Sequence, residues 1–296
     1  MSINLSTGLF YDRSKTAMQS LTSRAETLST QISTGKQLLS PSDGSVAYQR
    51  LQGLSRLTAD AKTDTANVKL AQSVLQQADT TLKQITEQLQ RASELTIQAK
   101  SGTQSPEGRA AIATELDGIV ESLAALANTR DARGQPLFGG ASGDVAVTKN
   151  PNGSFSFATG EASAIPIGDG QSVQPGSNAA NFLSGGGTDI GSALAAITAA
   201  LRAGDEIPGG ASDALDAVSD SVTATQTSLG ARAARVDLVY AQIQTATEDR
   251  EVTRSGIEDV NVADAITELQ KTMTILQATQ ASFSKLSQLS LFDYLR

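Results

Sequence analysis

The segment "ISTGKQLLSPSDGS", residues 32–45, holds the residues of this chain most readily taken for chemistry, because Gly35-Lys36 behind Ser33 and Thr34 looks like a phosphate loop. Such a loop needs a Gly five residues before the Gly-Lys pair and a Ser or Thr after it, so that backbone N–H groups ring the phosphates and a hydroxyl meets magnesium. Thr30 and Gln37 stand in those places. The preceding Leu21, Leu28 and Ile32 repeat at helical spacing, whereas a phosphate loop follows a strand. Gly35 is expected to be a helix C-cap free to adopt positive φ, and Pro41 with Ser42-Asp43 a turn and a new helix start. The loop reads as a joint between helices.

The remaining candidates are carboxylates. Asp43, Asp169, Asp259 and Asp264 do not follow calcium-loop spacing and read as caps and turn residues. Glu248, Asp249, Arg250, Glu251 and Arg254 read as a solvated helix face with ion pairs worth roughly tenths of a kcal/mol. The chain has no Cys and no His, which removes disulfides, thiolate zinc sites, thiol nucleophiles and the commonest general base. No catalytic residue, metal or cofactor is expected, and the chain reads as a non-enzyme. A net charge of -8 and a pI of about 4.7 argue against a nucleic-acid partner, since phosphate binding needs a basic surface. Met1 to Ser20 lacks a positive cluster followed by an apolar run, and no stretch reaches the ~18 apolar residues of a membrane span. Neither a cleaved signal peptide nor membrane insertion is expected.

The elements behind these residues divide the chain in three. Residues 1–133 contain seven Gly and two Pro, whereas residues 134–210 hold 16 of the 25 Gly and five of the seven Pro. From about 211 onward only Gly230 and Gly256 interrupt helical composition. Leu54, Ala61, Val68, Leu75, Leu82 and Leu89 fall seven apart, with Leu57, Ala71, Ala78, Ile85, Ala92 and Ala99 three residues behind them and Asp64 alone off pattern. This predicts a helix over about residues 45–100, roughly 80 Å long. After "SGTQSPEGR", Ile112, Leu116, Ile119, Leu123 and Leu126 predict its hairpin partner. Leu215, Val218, Val222, Leu229, Ala233, Val236, Tyr240 and Ile243 mark a further helix; Val262, Ile266, Leu269, Met273, Leu276 and Phe283 mark the last. In the middle, "VAVTKNPNGSFSFATG" predicts a hairpin turning at Asn150–Gly153, and "AIPIGDGQSV" a second short strand and turn. The fold class expected is mainly α: an elongated helical bundle or coiled coil formed by both chain ends, with a small β-rich domain inserted in the middle.

"STGKQLLSPSDGSVAYQRL", "LFGG" at 137–140, "IPIGDGQSV" and "SGIEDVNVADAITELQKTMTILQATQASFSKLSQLSLFDYLR" resemble the bacterial flagellin superfamily, over nearly the whole chain. Flagellin itself usually carries an Ala-Lys-Asp-Asp-like turn where Ser40-Pro41-Ser42-Asp43-Gly44 stands here. Its ending usually lacks the Phe292-Asp293-Tyr294 seen here. Both departures point to the branch that joins hook to filament.

The resemblance implies three domains: residues 1–42 and 256–296 as a terminal coiled coil lining an inner tube, 43–140 and 185–255 as a helical rod, and 141–184 as a β-rich outer domain. It implies that Leu5, Leu9, Leu21, Leu28 and Ile32 pack on Val262, Ile266, Leu269, Met273, Leu276 and Phe283. Leu286, Leu289, Leu291, Phe292 and Leu295 join them as an assembly interface. The implied function is structural and concerns motility: a ring of identical subunits adapting the first hook-associated protein to the flagellin filament, outside the cell, delivered by a flagellar export chaperone. A flagellin filament subunit is the alternative, and a helical surface adhesin or coiled-coil scaffold a third class.

Overall fold

The structure, a computed structural model, describes the backbone of residues 2–101, 104–139, 145–160 and 163–294, and within these the side chains from residue 9 to residue 285. In chain order the elements are α1 (Ser2–Thr34), a 3-10 turn (Pro41–Asp43), α2 (Ser45–Lys100), α3 (Pro106–Ala127), strands β1 (Val147–Lys149), β2 (Phe155–Phe157), β3 (Ile165–Gly168) and β4 (Gln171–Val173), α4 (Ala180–Leu183), β5 (Ser184–Gly185), β6 (Thr188–Asp189), α5 (Ile190–Ala203), α6 (Gly209–Glu258) and α7 (Val262–Tyr294). The chain is mainly α, with long helices at both ends and a small central region of short antiparallel strands. It forms two compact units, Met1–Ala59 with Thr247–Arg296, and Asp60–Ala246.

In the unit Asp60–Ala246 the seven-residue pattern becomes a packed seam. Val68, Ala71, Leu75, Ala78, Leu82, Ile85, Leu89 and Ala92 of α2 are buried with Ile112, Leu116 and Leu123 of α3 and Leu215, Val218, Val222, Leu229 and Val236 of α6. The recurring Ala residues are small knobs that leave room for close packing. α3 starts where its sequence says it should: Ser105 accepts a hydrogen bond from the Gly108 N–H at 3.1 Å, and Pro106 occupies the first helical position, where a missing N–H costs nothing. Asp64, the polar interruption of the seam, lies against the β3–β4 turn, where a Cβ on Gly168 would come within 2.9 Å of its Oδ2. Gly168 also has φ +100°, so both space and backbone conformation call for glycine there.

The strands form three two-stranded antiparallel sheets, β1–β2, β3–β4 and β5–β6. The hairpin expected around Asn150–Gly153 is present, with Val147 opposite Phe157 and Lys149 opposite Phe155. Asn128 serves the other edge of β1 like a strand residue: its Oδ1 accepts from Val147 N–H at 3.0 Å and its Nδ2 donates to the Val147 carbonyl at 2.8 Å. Asp189 ties β2 to α5 by accepting from the Phe155 N–H at 2.8 Å while capping the helix through the Ser192 N–H. Val147, Phe155, Ile165, Ile167, Val173 and Phe182 belong to the same core as the helices. The strand segment therefore has no core of its own. Nor does the hairpin tip stand free, because a Cβ on Gly153 would lie 2.6 Å from the Cβ of Ala195 on α5.

Two further expectations differ. Leu57, placed in the seam by its spacing, is exposed. The break expected around Gly256 falls instead at Asp259–Asn261, since α6 runs through Gly256 to Glu258. A glycine costs a helix about 1 kcal/mol without ending it. The stop comes where Asn261 starts α7, its Oδ1 accepting from the N–H groups of Ala263 and Asp264 at 3.1 and 3.4 Å.

Candidate assembly interface

The unit Met1–Ala59 with Thr247–Arg296 is organised by α1 and α7, which run antiparallel. The Tyr11 and Phe283 rings meet edge to face at 5.2 Å, Arg24 pairs with Glu268 at 3.0 Å, and Lys36 bridges to Asp259 through the backbone. Along α1 the inward positions are Tyr11, Ser14, Met18, Leu21, Ala25, Leu28 and Ile32, alternating steps of three and four. On α7 they are Ala265, Leu269, Thr272, Leu276, Thr279 and Phe283. Along each helix large seam residues alternate with small ones, Leu21 and Leu28 flanking Ala25 on α1, and Leu269 lying between Ala265 and Thr272 on α7. Among the described residues of this unit only Ala25, Ala265 and Thr272 are buried. Two helices can hide one stripe each and little more.

That geometry sorts the residues named from sequence. Leu21, Leu28, Ile32, Leu269, Leu276 and Phe283 sit half-buried in the seam. Leu9, Val262, Ile266 and Met273 do not pack there and are exposed, at 53%, 43%, 41% and 44%. The reason is angular: Ile266 and Met273 each follow a buried seam residue by one position, which turns them about 100° around the helix. With Val262 and Leu269 they form a second apolar stripe beside the seam. Phe10 and Ile275 are exposed as well and were not among the residues named from sequence; their position, one residue from Tyr11 and from Leu276, is the signal that could have found them. The side chains of Leu5, Leu286, Leu289, Leu291, Phe292 and Leu295 lie outside the described residues.

A polar clasp closes one end of the helix pair. Gly35, at φ +72°, caps α1 by donating its N–H to the Gln31 carbonyl at 2.9 Å, and its own carbonyl accepts from the Val260 N–H at 2.9 Å. The Gln37 N–H donates to the Glu258 carbonyl at 2.8 Å, and the Gln37 side chain to the Ile257 carbonyl at 2.8 Å. Lys36, the residue that suggested phosphate chemistry, pairs with the Glu258 carboxylate, which Arg254 also binds. The Lys36 ammonium, and secondarily Arg254, hold the Glu258 carboxyl below its ordinary range against the opposing effect of burial. In the following turn the N–H groups of Ser40 and Leu39 donate to Asp43 Oδ2 at 2.8 and 3.0 Å and hold that carboxyl low as well. Gly35, Gln37 and Asp43 are occupied in fixing backbone, and Lys36, Glu258 and Arg254 in pairing with one another. The Gly-Lys pair and Asp43 thus set the end of the helix pair, and the apolar stripe of Val262, Ile266 and Met273 is left exposed.

Residues 5–142 match the bacterial flagellin N-terminal helical region, and residues 212–295 the bacterial flagellin C-terminal helical region. The chain belongs to the bacterial flagellin superfamily. Within it the likeness is to hook-associated protein 3, FlgL: the chain is 32% identical over 125 residues to the flagellar hook-associated protein 3 of Escherichia coli K12, covering 42% of this chain and 39% of that one. It is 29% identical over 153 residues to the protein of the same name from Salmonella typhimurium LT2, covering 52% and 48%. The chain thus spans half or less of the length of these curated relatives. A solved structure described as a flagellar hook-associated protein from Vibrio parahaemolyticus shares the fold, with a TM-score of 0.68 at 20% identity over 73% of this chain and 100% of that one.

Proposed function

We propose that this chain is a structural subunit of the bacterial flagellum at the hook-filament junction. It forms a ring of identical subunits that joins the first hook-associated protein to the flagellin filament. The observation that carries this is the second apolar stripe on α7: Val262, Ile266 and Met273 remain exposed on a helix pair with only three buried residues among those described. A stripe of that kind gains stability only from a neighbour, and the similarity to two hook-associated proteins 3 supports the flagellum as the place where the subunit meets such neighbours. The interface extends, on this reading, to Leu5, Leu286, Leu289, Leu291, Phe292 and Leu295. The terminal helices are the assembly domain, and the subunit leaves the cell through the flagellar export route with its chaperone. A cysteine-free chain suits export in an unfolded state.

A second reading, a flagellin filament subunit, is favoured by the matched regions being those of flagellin itself. Deleting the gene and imaging the cells by electron microscopy separates the two. Bare hooks with flagellin shed into the medium are expected of the junction subunit. Loss of filaments with no shed flagellin supports the filament subunit, and normal filaments overturn both.

A further inference from the structure

We propose that Asn152 is a site of self-modification, at which the folded hairpin turn converts asparagine to a mixture of aspartate and isoaspartate. Asn152-Gly153 is the chain's sole Asn-Gly pair. Asn152 is exposed at the tip of the β1–β2 hairpin, and Gly153, at φ +87°, offers a backbone nitrogen with no side chain to shield it.

The turn prepares the amide for attack. Asn152 Oδ1 accepts from the Ser154 N–H at 3.1 Å and from the Ser154 Oγ at 2.7 Å. These bonds hold the Asn152 side chain on the turn, anchored at Ser154, one residue beyond the Gly153 nitrogen that would attack Cγ. They also aim two donors at the oxygen on which negative charge develops when Cγ becomes tetrahedral. In the reaction, hydroxide removes the Gly153 amide proton and that nitrogen bonds to Cγ. The Cγ–Nδ2 bond then breaks and ammonia leaves. Water opens the resulting five-membered imide at either carbonyl, giving aspartate or isoaspartate, with no oxidant or reductant involved. The step requires the Gly153 N–H to release the Asn150 carbonyl, to which it donates at 2.9 Å, and the rate rises with pH because hydroxide removes that proton.

The other described asparagines are arranged against this chemistry: Asn67 and Asn181 lie within α2 and α4 and precede Val68 and Phe182. Asn150 precedes Pro151, which has no N–H. Asn128 is held on Val147, Asn178 Nδ2 on the carbonyls of Ala158 and Gly160, and Asn261 on the first turn of α7. Each of these three is followed by a residue with a side chain.

The product matters because Gly153 is wedged against α5. Its carbonyl oxygen would lie 2.5 Å from a Cβ on Gly191, and its own Cβ would lie 2.6 Å from Ala195. Isoaspartate lengthens the main chain by one carbon at this point, which the wedge has no room to absorb, so the turn lifts from α5. Aspartate keeps the backbone and adds a carboxylate to a cleft lined by Lys149, Arg202 and Asp117, in which Lys149 already pairs with Glu121 and Arg202 with Asp117.

The test incubates the intact folded protein at pH 7 and pH 9, below its unfolding temperature, alongside a synthetic peptide spanning residues 147–157. Peptide mass mapping and isoaspartyl methyltransferase labelling follow the products. Conversion confined to the peptide carrying Asn152, faster at pH 9, is expected, and Asn152→Gln should abolish it. Ser154→Ala, with circular dichroism unchanged, should slow conversion severalfold in the protein but not in the free peptide. An unmodified Asn152 in the folded protein while the synthetic peptide converts overturns the proposal, as does earlier conversion at another asparagine. An unchanged rate in the Ser154→Ala protein overturns the activating role given to the turn.

Discussion

The second apolar stripe of α7 can be removed without touching the seam. Replacing Val262, Ile266 and Met273 together by Gln keeps the net charge and uses a residue with good helix propensity. The three are 43%, 41% and 44% exposed in the subunit. Full burial of such side chains stabilises by roughly 1.5–3 kcal/mol each, so the exposed portion leaves about 0.6–1.3 kcal/mol each, or roughly 2–4 kcal/mol for the three, to be gained on association. That corresponds to a subunit contact weakened by roughly thirty- to several hundred-fold. The free variant should show the circular dichroism and thermal midpoint of the parent, because the seam residues Ala265, Leu269, Thr272 and Leu276 are untouched. In sedimentation experiments self-association should be lost, and cells secreting normal amounts of the variant should carry bare hooks. Full filament attachment by a secreted triple variant would refute the reasoning. So would collapse of the free subunit, which would return these residues to ordinary core.

Two further outcomes are expected within the same unit. Ala25→Leu overfills the seam at a buried position and should destabilise the helix pair by about 1–3 kcal/mol, read as faster proteolysis of residues 9–34, while substituting exposed Ala17 leaves the digestion unchanged. Glu258 has a carboxyl held below its ordinary value by Lys36 and Arg254. Its clasp contribution is therefore fully present above the unfolded value, near pH 4.5, and is lost as pH falls through the lower folded value. Lys36 and Arg254 are 49% and 38% exposed, which limits the effect to roughly 0.2–1 kcal/mol. Protection of the Gln37 and Val260 amides against hydrogen exchange, measured relative to the intrinsic rate at each pH, should fall below that pH in the parent, and Glu258→Gln should show the lower protection at neutral pH; identical protection in both proteins at neutral pH would deny the ion pairs any role.

What the sequence made legible depended on who supplies the partner. The α2 pattern from Val68 to Ala92 was readable in detail because the chain's own α3 and α6 bury it, so periodicity and packing report the same contacts. Gly35 was readable as a cap because a positive φ leaves few other residues possible. The contact of Asp64 with Gly168 was not, since a polar residue in an apolar stripe says only that something unusual faces it, and the β3–β4 turn lies about a hundred residues away in sequence. The strands' shared core was hidden for a similar reason. Residues such as Phe155 and Ile167 alternate as any half-buried strand does, whichever element covers them.

The α7 helix is the instructive case. Its apolar residues read as one stripe from Val262 to Phe283, yet the structure resolves two adjoining stripes that share Leu269 and Leu276, one facing α1 and one facing outward. Periodicity records every surface that is buried at some stage of a protein's life and does not say which molecule buries it. A helix that folded only against its own chain would need one stripe, with polar residues at 266 and 273 as at 264 and 271. On the assembly reading, the excess over one stripe is the part of the sequence that belongs to the neighbouring subunit, and it is the part the triple Gln variant removes.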